Sequence, residues 1–129
     1  MSIKMNAIGI VVSDMKRSLE FYAALGLPVP AFDPNEDHFS CPLDGGVTLM
    51  WDTAALVQQF MPDYVHGTGS SIGLAFECSS PSDVDAVYGR LVGAGFESKT
   101  APWDAFWGQR YAIVLDPDGN ATSLYAPLG

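Results

Sequence analysis

A pattern of strand, helix and closing hairpin runs through this chain twice, and an offset of 69 residues lays the second helix and its glycine end on the first. In the first copy, the apolar, β-branched run at 8–12 reads as a buried strand. Ser13 or Asp14 can cap the helix that follows. Met15, Leu19 and Tyr22 form one buried stripe at i, i+4 and i+7, and Gly26 sits where a C′ residue belongs. Pro28, Pro30 and Pro34 mark an extended, irregular passage. Strands at 39–43 and 47–51 are joined by DGG, a hairpin turn signal. Asp52 is placed to cap a short helix over 54–60, after which PDYVHGTGSS reads as a linker.

From residue 72 the pattern starts again. A strand at 72–77 leads to Ser80, Pro81 and Asp83, which read as N-cap, N1 proline and early acid. Val84, Val87, Tyr88 and Leu91 make the helical stripe, and Gly95 ends it. The offset maps Asp83 onto Asp14, Gly95 onto Gly26 and Phe96 onto Leu27, while DGG before 47–51 corresponds to DPDGN before 121–125. Several elements repeating in one order are harder to obtain by chance than any one of them. The chain therefore reads as α+β, with two copies of strand–helix–strand–strand–strand: module one at about 1–60, a linker at about 61–71 and module two at about 72–129.

A chain of 129 residues fits one domain, or two small halves sharing a core, and 48% hydrophobic residues suffice to build it. Fifteen acids against six bases give a net charge of −9, which repels phosphate backbones, and the bases are scattered; nucleic acid is not an expected partner. The acidity by itself reads as solubility. No run reaches the ~18 apolar residues of a membrane span, and MSIKMNAIGIVV lacks a signal-peptide cleavage pattern. Cys41 and Cys78 lie in apolar strand contexts and read as small buried hydrophobes, not as a disulfide framework. The expected compartment is the cytoplasm.

One stretch stands out for function. WDAFWGQRYAIVLDPDGN puts Trp103, Phe106, Trp107 and Tyr111 on a loop that runs into an apolar strand, closed by a turn with Pro and Gly where a turn needs them. Flat rings beside a rigid strand suit the binding of another flat ring. Size alone favours burial of each, so about half of the set is expected to face a ligand.

With these residues in view, the chain resembles the vicinal oxygen chelate superfamily, which includes glyoxalase I, extradiol dioxygenases and the bleomycin-resistance proteins. The carriers are IGIVVSDMKRSLEFYAALGL, GLAFECSSPSDVDAVYGRLVGAG and YAIVLDPDGNATSLYAP. DGGVTLMWDT and PWDAFWGQRYAIVLDPDGN look most like the small drug-binding resistance proteins of the mitomycin-binding type. The resemblance implies two βαβββ modules around a cavity in a partly open barrel. It also implies a homodimer, in some members with modules exchanged between chains.

Metal-dependent members of that superfamily hold a divalent ion with His, Glu or Gln from the first and last strands of each module. The corresponding positions here are Ala7, Leu49, Gly73 and Ser123, and a shift of one residue offers nothing better. His38 and His66 lie in loop-like segments without ligand spacing, and Glu77 reads as an outward-facing, solvated carboxylate, although strand alternation also allows it to point inward. No G-x-S-x-G, Cys-x-x-Cys or phosphate-cradling glycine run is present. The expectation is therefore no metal, no cofactor and no catalytic group.

What remains is a cavity that holds a flat, partly aromatic small molecule, with an antibiotic among the candidates. Trp107, in AFWGQRY, occupies a ring position that resembles the stacking residue of the drug-binding relatives and ranks first. Trp51 and Tyr125 occupy corresponding places at the ends of the module-closing strands, and Phe39, Trp103, Phe106 and Tyr111 follow. Arg110 or Gln109 can donate to a ligand carbonyl, and Arg110 can equally pair with an acid. Two rings supply roughly micromolar affinity without a metal. The rivals are a glyoxalase-type isomerase, lyase or dioxygenase with an unconventional metal site, and a scaffold whose cavity is filled by side chains.

Overall fold

The computed structural model of the chain describes residues 2–33, 35–69 and 72–129. Pro34 and the linker residues Ser70 and Ser71 lie outside them. The chain divides into two compact units, one of residues 1–23 and 27–67, the other of 24–26 and 68–129. The fold class is α+β, with one sheet in each unit.

The first unit runs β1 (Ala7–Val12), α1 (Met15–Leu25, its last two residues counted with the second unit), β2 (His38–Pro42), β3 (Thr48–Thr53) and α2 (Ala54–Phe60). Its sheet has the order β1-β3-β2, β1 parallel and β2 antiparallel to β3. Ile10, Phe39, Cys41, Leu49 and Trp51 alternate to one face and are buried with Met15, Leu19 and Tyr22, the predicted stripe of α1. Of the two candidate caps for α1, Asp14 takes the role: its carboxylate accepts from the Arg17 amide at 3.1 Å. The Asp44–Gly46 turn needs two left-handed residues, and Gly45 and Gly46 supply them at φ of 88° and 84°. The cap of α2 is Thr53, not Asp52, because the Thr53 hydroxyl accepts from the Leu56 amide. Asp52 instead lies within β3 and pairs with His38 of β2. The passage after α1 forms no strand among its described residues, so this sheet has three strands.

The second unit runs β4 (Leu74–Glu77), α3 (Pro81–Gly93), β5 (Glu97–Asp104), β6 (Gln109–Leu115) and β7 (Ala121–Pro127). Its sheet order is β4-β7-β6-β5, with β4 parallel to β7 as β1 is to β3. The repeat is thus one of strand pairing as well as of sequence. Both long helices also end alike: Leu27 N–H donates to Tyr22 C=O and Phe96 N–H to Leu91 C=O, around left-handed Gly26 and Gly95. Their beginnings differ. Ser80 caps α3 through the Asp83 amide, so Asp83 sits in the first turn whereas its counterpart Asp14 is itself the cap.

In this unit α3 covers one face of the sheet. Ala112, Val114, Thr122, Leu124 and Ala126 are fully buried on that side, together with Val84 and Leu91 of the helix. The DPDGN turn is held by Asp116, whose carboxylate accepts from the amides of Asp118 and Asn120 and from the Asn120 side chain, each at 2.9 Å.

Candidate functional site

The opposite face of the second sheet carries the rings. Because side chains alternate along a strand, the buried run Ala112, Val114 toward α3 sends Tyr111, Ile113 and Gln109 the other way. Register then fixes who their neighbours are. Trp103 pairs with Tyr111, Tyr111 with Tyr125, and Tyr125 with Glu77, so one row crosses all four strands.

The rings of this row are in contact. Tyr111 and Tyr125 stack with centroids 6.2 Å apart at 22°. Trp103 meets Tyr111 edge-on at 5.7 Å, and Trp107 meets both Tyr111 at 5.4 Å and Trp103 at 5.8 Å. Phe106 continues the chain to Trp107 at 5.0 Å. Trp103 is a residue of β5 and not of the loop expected for it. The loop is only the tight β5–β6 turn, closed by Ala105 and Gln109 and by left-handed Gly108. At its tip Phe106 is 96% and Trp107 48% exposed. The Trp107 indole is oriented by its N–H, which donates to the Gln109 side-chain oxygen at 2.8 Å. Gln109 is thus engaged with the ring that ranked first.

Three expected members are elsewhere. Trp51 is 0% exposed, on the helix side of the first sheet with its ring 5.5 Å from that of Tyr22. Phe39 pairs with Trp51 across β2 and β3 and is covered by Phe32 at 6.0 Å. Both belong to the core of the first unit, because the partner of a buried position across a sheet points to the same side. Arg110 precedes Tyr111 by one residue and therefore points to the α3 side, where it binds Asp85 at 3.0 Å and Asp104 at 3.1 Å. The hydrogen bond and charge of Asp85, with Asp104 beside it, push the guanidinium pKa further up. Arg110 is a pairing residue and does not face the rings.

Glu77 is exposed, as expected of a solvated carboxylate, but it stands on the ring side of β4, since Leu74 and Phe76 take the other. The neighbouring Cys78 thiol is pushed above its usual range by burial first and by Asp83 next, and Cys41 by burial; neither is an activated nucleophile.

The residues at the superfamily's ligand positions do not fit a divalent ion. Leu49 is buried on the helix side, so the open-face positions of β3 are Thr48 opposite Ala7, Met50 opposite Gly9 and Asp52 opposite Val11. In the second sheet Ser123 lies opposite Ala75. Among the described residues no three His, Cys, Asp or Glu side chains gather as a metal site. The open face of the first sheet carries the His38–Asp52 pair. No helix is long and apolar enough to cross a membrane among the described residues.

Comparison with known proteins agrees with this architecture. A family model described as the Glyoxalase/Bleomycin resistance protein/Dioxygenase superfamily matches residues 4–124. An uncharacterized protein of Bacillus subtilis, YraH, is 32% identical over 133 residues, covering 98% of this chain and all of the relative. A glyoxalase-related enzyme from Fulvimarina pelagi superposes with a TM-score of 0.84 at 21% identity, over 95% of this chain and 87% of that one. TnmS3, an antibiotic binding protein from Streptomyces sp. CB03234, superposes with a TM-score of 0.67 at 26% identity, over 98% of each chain.

Proposed function

The chain belongs to the Glyoxalase/Bleomycin resistance protein/Dioxygenase superfamily, and from that membership we propose that it is a metal-independent binding protein that sequesters a flat, partly aromatic small molecule. The observation that carries the reading is the connected ring set of Trp103, Tyr111 and Tyr125 on one sheet face with Trp107 and Phe106 of the adjoining β5–β6 turn. Each stacking contact adds roughly 1 kcal/mol beyond area burial, and removal of the ligand's apolar face from water adds more. About 8 kcal/mol in total corresponds to micromolar binding. The positions matched to the superfamily's ion ligands carry Ala7, Leu49, Gly73 and Ser123, none of them an imidazole or a carboxylate. The likeness to TnmS3 supports the finer reading that the ligand is a natural-product antibiotic and the role resistance by binding. A cytoplasmic homodimer belongs to the same proposal.

Titration of a panel of planar natural products, followed by tryptophan fluorescence, tests it. Saturable quenching that is lost in Trp107→Ala is the expected result. No response across the panel, or an undiminished response in the variant, overturns it. Stoichiometric Ni, Zn, Fe or Mn in protein purified without chelators overturns the metal-independent part.

A further inference from the structure

The row that crosses the second sheet ends in a charge. Glu77 is the register partner of Tyr125, and Tyr125 of Tyr111, so the carboxylate stands one strand from the stacked pair, about 5 Å between neighbouring backbones. No hydrogen bond or ion pair to a described residue engages it. The paired positions of this face carry no Lys or Arg, and the guanidinium nearest in sequence, Arg110, is turned to the other face and held there by two aspartates. Ring faces are themselves electron-rich and attract cations. A carboxylate, rings with negative faces and paired positions without Lys or Arg make one electrostatic statement.

We propose that this face selects a planar cation, an aromatic system bearing a protonated amine or ring nitrogen, with the positive charge placed beside Glu77, the ring plane along the Tyr125–Tyr111 pair and Trp107 at its edge. The proposal rests on the binding reading above and names the ligand class within it. A neutral ring of the same shape gains the stacking and forgoes the ion pair. An anion meets repulsion from Glu77 and from a chain of net charge −9. A net charge alone would favour any cation at any surface, so the assignment to Glu77 needs a comparison within the same face. Glu97 provides it: it pairs with Leu115, four residues along β6 from Tyr111, roughly 13 Å away and beyond the ~8 Å screening length at physiological salt.

The experiment measures calorimetric affinities of aminoacridine, unsubstituted acridine and acridine carboxylate, at a pH where these are cation, neutral and anion, for the unaltered chain, Glu77→Gln and Glu97→Gln. The expected order is cation over neutral by about tenfold, with the anion weakest. Glu77→Gln reduces the cation's advantage by roughly fivefold or more and leaves acridine unchanged, while Glu97→Gln leaves all three within about twofold. Equal binding of cation and neutral probe, or a preference that survives in Glu77→Gln, overturns the charge assignment and leaves the ring-face reading standing. If none of the three binds, both fall.

Discussion

Tyr111 and Tyr125 are register partners on adjacent antiparallel strands, and their rings stack 6.2 Å apart at 22°. Two strands thereby bring their rings together as one aromatic pair, with Trp107 standing edge-on to Tyr111. Removing either partner breaks that pair. Tyr125→Ala is expected to weaken binding of a planar ligand by about tenfold and to cost roughly 1–3 kcal/mol of stability, since the ring is half-buried. Paired calorimetry and urea unfolding check it; unchanged affinity would separate Tyr125 from the site.

Trp51 should behave as a core residue. Its side chain is fully buried against Tyr22, and its indole N–H has no hydrogen-bond partner among the described residues. Trp51→Ala leaves a large cavity and is expected to cost about 3–5 kcal/mol. Trp51→Phe also removes the unpartnered donor, so its cost should be smaller, roughly 1–2 kcal/mol, with planar-ligand affinity unchanged. A selective loss of affinity in a stable Trp51→Phe protein would contradict this placement.

Arg110→Ala tests the opposite face. Ligand affinity should not change, and the midpoint of urea unfolding should fall slightly, by an amount that shrinks with added salt, because the pair with Asp85 and Asp104 is open to solvent. The guanidinium pKa is raised in the folded chain. A raised pKa contributes stability that is fully present below the unfolded value and lost only as pH climbs through the folded one. Titration of Arg110 therefore contributes no pH dependence through the neutral range. A wild-type minus Arg110→Ala stability difference that vanishes between about pH 6 and pH 9 would contradict this assignment.

Asp116 holds the β6–β7 turn through three hydrogen bonds while itself buried. Asp116→Ala leaves those donors without their acceptor and should destabilise the chain by roughly 2–3 kcal/mol, as read by denaturant unfolding. Asp116→Asn keeps one acceptor oxygen and should recover part of the loss.

Periodicity and turn chemistry made most of the architecture legible. The α1 stripe of Met15, Leu19 and Tyr22, the glycine ends at Gly26 and Gly95 and the DPDGN turn are local features, and each appears where local physics puts it. β5 was harder to read: it is an edge strand with register shifts between Ser98 and Trp103, and Pro102 in its course, so it shows no clean alternation. Asp52 reads as a cap because any Asp before a helix looks like one, whereas Thr53, one residue later, has the backbone geometry for the bond.

Residue order alone therefore determined most of the elements and the internal repeat of strand, helix and closing hairpin. Tertiary structure decided which aromatic residues share a surface. A strand sends neighbours to opposite faces, so Arg110 and Tyr111 part company, and Trp51, matched to Tyr125 by its place in the repeat, goes into a core instead. Which of two faces a helix covers is settled by packing across the sheet, and no pattern within one strand contains it.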